Sequence, residues 1–270
     1  MASAPDMLAG MGKSRATKAI GIDIGGTGIK GALVDLRTGE LLSKRRKVPT
    51  PVGGDPREVI DATMEIVRKI WAKDLDGDTD VPVGISVPAI VKHGVTRSAA
   101  NISPLWINFA ARAAFSEAVG REVALANDAD AAGIAEVRFG VAHGRLDSVI
   151  MTTLGTGIGT AMFYGGHLFP NSELGHISIG EHSDYEKYAS SKVREREELS
   201  FAEWGARLTP YYRQLEALFS PDVFIVSGGI SKQADEFLHY IDVETPIVVA
   251  EFMNNAGIVG SACLAAEHWV

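Results

Sequence analysis

Glycine placement constrains this chain more than any other feature. The 270 residues include 29 glycines, and many of them fall in three clusters. Gly25, Gly26, Gly28 and Gly31 lie in AIGIDIGGTGIKGALVD, Gly155, Gly157 and Gly159 in SVIMTTLGTGIGTAMFYGG, and Gly228 and Gly229 in VFIVSGGIS. Each cluster follows a short β-prone run: Ala19 to Ile24, Ser148 to Leu154 and Val223 to Ser227. A glycine-rich turn after a strand exposes backbone N–H groups with no Cβ in the way, and that geometry can cradle phosphate oxygens. One such turn is as easily a tight connection; three of them point to phosphate.

The chain also repeats itself. Gly26-Thr27-Gly28-Ile29-x-x-Ala32 returns 129 residues later as Gly155-Thr156-Gly157-Ile158-x-x-Ala161. Two strand–turn–strand units half a chain apart imply two lobes of related build, with a ligand between them and one hairpin on each side. Gly26, Gly28 and Gly31 also spell G-x-G-x-x-G after a strand, but the dinucleotide fingerprint requires a helix to start there. Ile29 to Asp35 is apolar and β-branched, and Thr38-Gly39 marks a turn, so a hairpin is predicted and dinucleotide binding is rejected.

Further along, Glu40 to Val48 reads as a strand carrying Lys44, Arg45, Arg46 and Lys47. A helix opens at Asp55 or Pro56 and runs through Ile60, Met64, Val67, Ile70 and Trp71. VGISVPAIV is a buried strand, Ala110 to Val119 a helix, Val123 to Ala126 a short strand and Ala129 to Phe139 a helix. The second half gives the Ser148 to Tyr164 hairpin, an irregular polar stretch from Asn171 to Glu186, and helices at Tyr185 to Ala189 and Phe201 to Phe219. A strand at Val223 to Ser227, a helix near Lys232 to Tyr240, a strand at Pro246 to Ala250 and a helix from Ala256 to His268 complete it. Strands alternating with helices mean an α/β class.

Composition removes several alternatives. Hydrophobic residues make up 46% and charged residues 22%, as in a globular protein. The single cysteine, Cys263, excludes a disulfide framework and a Cys-rich zinc site. No apolar run approaches the ~20 residues that span a bilayer. The first 17 residues lack the apolar core of a secretory signal, so a disordered tail and a cytoplasmic protein are expected. A net charge of −8 argues against a duplex DNA partner but leaves room for a local basic groove.

Among polar residues, Asp23 ends the first strand beside the glycine turn, where a carboxylate could hold Mg²⁺, orient a phosphate or simply cap the turn. Asn127-Asp128 follows a strand and faces the crevice where α/β proteins bind ligands, or else caps the next helix. Glu173 and His176, three residues apart, share a face and suit a polyhydroxylated ligand better than a metal, with Glu186 the only obvious further ligand. Asn101 sits beside Trp106, a pairing that reads equally as sugar contact or as a capped turn. The run Lys44 to Lys47 is a solvated, charge-protected edge strand or a polyanion contact. Lys192, Arg194 and Arg196 alternate with Glu195, Glu197 and Glu198, as on a solvated helix.

Taken in order, DIGGT at Asp23 to Thr27, NDA at Asn127 to Ala129, LGTGIG at Leu154 to Gly159, ELGH at Glu173 to His176, EKYAS at Glu186 to Ser190 and SGGIS at Ser227 to Ser231 resemble the ROK family of sugar kinases and repressors. The resemblance covers nearly the whole chain from Lys18. It implies a two-lobed actin/hexokinase-like (ribonuclease H-like) α/β ATPase fold with a ligand cleft between the lobes. A small lobe is expected over 18–124, with the C-terminal helix 256–270 packing back on it, and a large lobe over 125–255. Residue by residue, Asp128 matches the catalytic base, and Asn101, Asn127, Glu173, His176 and Glu186 match sugar-binding positions. Asp23, Gly25, Gly26, Thr27, Gly155, Thr156 and Gly157 match the phosphate-donor loops, and Gly228 and Gly229 the loop near the nucleoside end of the donor. Lys30 is placed with the donor site, since the lysine that follows DIGGT in many family kinases is displaced to that position here. Where many members carry a CGCGxxGC zinc motif, this chain reads GEHSDYEKYAS, so no structural zinc is expected. The residues before the first strand are too few for the helix-turn-helix domain of the family's repressors.

The zinc-less region and the GGTGIKGA hairpin resemble the polyphosphate glucokinase branch. That implies transfer of a phosphoryl group from inorganic polyphosphate, and ATP, to the 6-hydroxyl of glucose, with mannose as a second candidate acceptor and Mg²⁺ travelling with the donor. A strictly ATP-dependent hexose kinase and a non-catalytic sugar-sensing protein are the alternatives. No nucleic acid or membrane partner is expected, and monomer and homodimer both stay open.

Overall fold

The structure is a computed structural model and describes residues 16–99 and 102–267. Most of the expected N-terminal tail and the candidate sugar ligand Asn101 lie outside the described residues. In chain order the first half runs β1 (Lys18–Ile24), β2 (Gly28–Asp35), β3 (Arg46–Pro49), α1 (Pro56–Asp74), β4 (Val83–Val87), a small ribbon of β5 (Val91–Lys92) and β6 (Val95–Thr96), α2 (Ala111–Val119), β7 (Ala124–Asn127) and α3 (Asp128–Arg138). The second half runs β8 (Val149–Leu154), β9 (Ile158–Tyr164), β10 (His167–Phe169), α4 (Glu186–Ala189), α5 (Ser191–Arg196), α6 (Phe201–Phe219), β11 (Val223–Ser227), α7 (Ala234–Phe237), β12 (Ile247–Val249) and α8 (Ala256–Glu267).

Two five-stranded sheets share one topology, β3-β2-β1-β4-β7 and β10-β9-β8-β11-β12. In each, a hairpin and a third strand are antiparallel, and two further strands join in parallel. The sequence repeat is therefore a repeat of a whole sheet. Its two turns differ by one residue. Ile24 pairs with Ile29 across four residues, whereas Leu154 pairs with Ile158 across three. The division expected at 124/125 falls inside β7, whose pairing with β4 puts it in the first sheet.

Local chemistry explains the elements. Asp55 caps α1 by accepting from the Arg57 N–H at 2.8 Å, and Pro56 fits the first turn, where no N–H is needed. Val59, Met64, Val67 and Ile70 then bury one face of that helix. The strand expected over Glu40 to Val48 is confined to β3, with a single bridge from Leu41 to Val34 before it. Ser43 diverts the chain by accepting the Leu33 N–H with its hydroxyl at 3.0 Å, which replaces a ladder bond. The helix expected near Lys232 to Tyr240 is one α turn, α7, between two 3-10 segments. No helix among the described residues is long and apolar enough to cross a membrane.

β1 sorts its residues by size. Ile20, Ile22 and Ile24 face α1 and join a core with Val59, Ile66, Val67 and Ile70. Ala19, Gly21 and Asp23 face α8. A second core lies between the sheets, where α3 and α8 bring Ala135, Ile258 and Val259 against Val34, Met151 and Phe163. A third lies beyond the second sheet, where Trp204, Tyr211 and Tyr212 of α6 cover Phe224 and Val226. The order is helices, sheet, the α3/α8 pair, sheet, helices.

α8 sits so low on β1 and β4 that side chains are excluded beneath it. A Cβ on Gly21 would overlap the Ile258 carbonyl, and one on Gly84 the Ser261 carbonyl. Gly84→Ala should therefore cost about 1–3 kcal/mol through overpacking. Gly229→Ala, where nothing stands within 4 Å of the added Cβ, should leave the melting temperature unchanged. Thermal unfolding of the two variants checks this; equal melting temperatures would refute the tight packing of α8.

Candidate active site

The two hairpin turns face each other across a cleft of about 560 Å³. Gly25, Gly26 and Thr27 line one side and Gly155, Thr156 and Gly157 the other, with Asn127 and Asp128 between them. Glu173, His176 and Glu186 form a third wall, and Lys192 and Gly228 also reach the cleft. Of the residues picked out from sequence, Asp23, Lys30 and Gly229 do not line it, and Asn101 is outside the described residues.

Asn127, not Asp128, is the helix cap. Its side-chain oxygen accepts the N–H groups of Ala129 at 2.8 Å and Asp130 at 3.2 Å, and its Nδ2 donates to the Ala89 carbonyl at 3.3 Å. Asp128 thus begins α3 with its carboxylate turned to the cleft and the Ala129 N–H on Oδ1, at 2.9 Å. Burial, then the charges of Asp23 and Glu173, raise its pKa from the ordinary 3.8 to about 7 against the backbone N–H groups of Ala129 and of Asp128 itself. A carboxylate held there is a proton acceptor poised near neutrality.

On the third wall, Glu186 opens α4 and accepts the Ile158 N–H at 2.9 Å. Gly157 makes that reach possible, since a Cβ there would collide with the Glu186 carboxylate. His176 Nδ1 lies 3.0 Å from Asp184 Oδ1, and its ring is 3.8 Å from Glu173 and from Glu186. Burial pulls the imidazole pKa down, but the Asp184 hydrogen bond and the charges of Glu186, Asp184 and Glu173 outweigh it and raise it. Glu173 is itself raised, by burial first and by Glu186, with His176 opposing. This wall offers donors and acceptors at several angles, as a polyhydroxyl ligand needs.

Asp23, the residue before the last of β1, is half-buried, accepting the Ser86 hydroxyl at 3.2 Å and pairing with Lys30 Nζ at 3.2 Å. Lys30 is thus tied to Asp23 rather than presented to the cleft. The adjoining turn is braced by the Gly25 N–H to the Gly28 carbonyl at 3.1 Å and by Thr50 Oγ1 to the Gly25 carbonyl at 2.6 Å. Magnesium is commonly held by one or two carboxylates plus donor phosphates, and Asp23 beside this turn fits that pattern. His176, Asp184 and Glu186 bring one ligand atom each to within 4.8 Å of one another. Asp184 gives Oδ1 to His176 and Oδ2 to Lys187 at 2.8 Å, while Glu186 gives Oε2 to the Ile158 N–H and turns Oε1 toward His176. Cys263 is buried in α8. Among the described residues the His176, Asp184 and Glu186 cluster offers three nitrogen and oxygen ligands and no thiolate, unlike the four-ligand cysteine-rich sites of structural zinc.

Two supports escaped the sequence reading. Asp130 is buried and accepts the Asn171 N–H at 2.8 Å, and Asn171 grips both the N–H and the carbonyl of Val91, at 2.7 and 3.0 Å. Burial, with the charges of Glu173 and Asp128, raises Asp130 to about 7 against the Asn171 N–H. Asp184, which orients His176, is the other. Both pairings join residues with no shared local pattern.

The family model for the ROK family matches residues 19–193. A polyphosphate glucokinase of Mycobacterium tuberculosis is 40% identical over 243 residues, covering 90% of this chain and 89% of that protein. The crystal structure of the inorganic polyphosphate/ATP-glucomannokinase of Arthrobacter sp. strain KM superimposes with a TM-score of 0.89 at 47% identity, over 94% of this chain and 100% of that one. A ROK family glucokinase of Streptomyces griseus, solved in complex with glucose and AMPPNP, gives a TM-score of 0.77 at 27% identity, over 92% of this chain and 99% of that one. The fold is thus the two-lobed actin/hexokinase-like α/β fold. With paired sheets, facing glycine turns and a raised carboxylate in the order the motifs require, this chain belongs to the ROK family.

Proposed function

We propose that this protein transfers the terminal phosphoryl group of inorganic polyphosphate, and of ATP, to the 6-hydroxyl of glucose, with mannose as a second acceptor. The observation that carries this is Asp128, raised to about 7 in a cleft between two glycine turns. The named activities of the Mycobacterium and Arthrobacter relatives support the choice of donor and sugar.

Asp128 takes the proton of the 6-hydroxyl as that oxygen attacks the terminal phosphorus. The new O–P bond forms while the bridging P–O bond to the donor breaks, and the donor leaves as a polyphosphate one unit shorter, or as ADP. The Gly25 and Gly155 N–H groups close their own turns, which leaves the N–H groups of Gly26, Thr27, Thr156 and Gly157 for the developing charge on the transferred group. Mg²⁺, held with the donor beside Asp23, would neutralise charge on the donor oxygens. Glu173, His176, Asn127 and Glu186 orient the sugar, and Gly228 and Gly229 take the nucleoside end of ATP. The 176–190 segment is ordered without zinc, through Asp184, Lys187 and Glu186. The site is shared between a small lobe that includes α8 and a large lobe, and the enzyme works in the cytoplasm.

Purified protein with Mg²⁺ and glucose should form glucose 6-phosphate with polyphosphate as the sole donor, and with ATP as the sole donor. No product from polyphosphate would remove that donor from the proposal. A base that works unprotonated makes kcat/KM rise with pH through a midpoint near 7 and level off above it. A flat profile from pH 5.5 to 9 would count against Asp128. Asp128→Asn should lose roughly 10²–10⁴-fold in kcat. It should also melt higher than the parent at pH 8. The folded pKa lies above the unfolded one, so ionised Asp128 destabilises the fold most above pH 7, and that penalty fades as pH falls toward 3.8. The gain in melting temperature should shrink in step.

A further inference from the structure

Three cations of the Lys44 to Lys47 run have no acidic partner among the described residues and stand at the outer edge of the first sheet, next to the donor turn. The register sets Asp23 opposite Lys30 and Lys30 opposite Lys47, so the three form one row across one face of the sheet. Asp23 neutralises Lys30 at 3.2 Å. Lys47 has no carboxylate and lies across Gly28, where an added Cβ would stand 2.7 Å from its Cε. Arg46 points to the other face and is the member of the run with an acidic partner, Asp74 of α1. Arg45 is held toward the start of α8 by a neutral group, the Asn255 side-chain oxygen, at 3.1 Å. Lys44 is exposed.

Charge on an edge strand that only discourages aggregation has no need to lie over a particular turn. Lysines directly opposite each other on neighbouring strands repel, and the single charge of Asp23 balances only one of them. In a chain of net charge −8 this leaves a local cationic strip that begins at the turn lining the cleft and runs outward from it. A polyanion whose terminal phosphates sit at Gly25 to Thr27 would extend over Lys47 toward Arg45 and Lys44.

We propose that Lys47, Arg45 and Lys44 form the track along which the distal phosphates of a long polyphosphate leave the cleft. The proposal rests on the polyphosphate donor reading above. ATP and tripolyphosphate have too few phosphates to occupy both the cleft and the strip, so the track serves the long polymer alone.

The test is the triple variant K44A/R45A/K47A, whose positions are exposed or half-exposed. It is assayed with long-chain polyphosphate, tripolyphosphate and ATP, and titrated with labelled long-chain polyphosphate without glucose. The KM for the long polymer should rise roughly tenfold and its salt dependence should flatten, because fewer phosphates are neutralised. Kinetics with ATP and tripolyphosphate should stay as in the parent, and K44R/K47R should keep the parent KM. An unchanged KM and salt dependence for the long polymer in the triple variant would overturn the track, as would an equal loss with ATP. If the parent binds the long polymer but forms no product from it, the donor reading fails, and the track stands only if the triple variant loses that binding. If the parent does not bind the polymer, both fail.

Discussion

Backbone-on-backbone packing of α8 is the constraint from which the rest of the site follows. α8 rests on Gly21 and Gly84 of the first sheet, and Gly260 lets it touch α3 so closely that a Cβ would overlap the Ala131 carbonyl. α3 carries Asp128 at its first residue, and Gly257 in the first turn of α8 lies against the Asp23 carboxylate. The helix that presents the proton acceptor is thereby locked to the sheet that presents the donor turn. The charge of Asp23 is the second cause of the raised pKa of Asp128, so this packing is also an electrostatic setting.

The cleft divides its electrostatics between its two ends. Asp128, Glu173 and Glu186 gather at the end proposed for the sugar, with Asp130 buried behind them. Burial first, then the charges of Asp23 and Glu173, hold Asp128 near neutrality. The donor side has no such crowd. It offers turn N–H groups and Lys192, whose own N–H anchors to the Gly155 carbonyl at 3.0 Å. In the proposed reaction, a charge that develops on phosphate meets dipoles and a cation, while a proton leaving sugar meets a carboxylate.

Much of this was legible in the sequence because it was local. The two hairpins declared themselves by Gly-Thr turns between β-branched runs, and the 129-residue repeat gave the second sheet once the first was understood. Asp128 could be named, but whether it or Asn127 caps α3 could not, because both side chains can do so. The structure assigns the cap to Asn127 through two N–H bonds. Lys30 looked like a donor ligand from its distance to the motif, but the β1–β2 register puts it opposite Asp23, and register is not written in spacing alone. The segment after Glu40 failed as a strand for a similar reason: the Ser43 hydroxyl takes a backbone N–H from the neighbouring strand. Links such as Asp130 to Asn171 and His176 to Asp184 form only when distant or irregular segments meet, and no periodicity announces them.

The grip of Asn171 on Val91 has a further consequence. Both bonds go to the peptide group of residue 91, and the amide that makes them is held by a backbone at φ 59°. Few residue types tolerate that conformation, and asparagine is one that does. The wall of the cleft at residues 88–90 is thus fastened by something that does not read the side chain it holds. The Val91 side chain answers only to its packing against the first core, while position 171 is pinned by both its amide and its conformation.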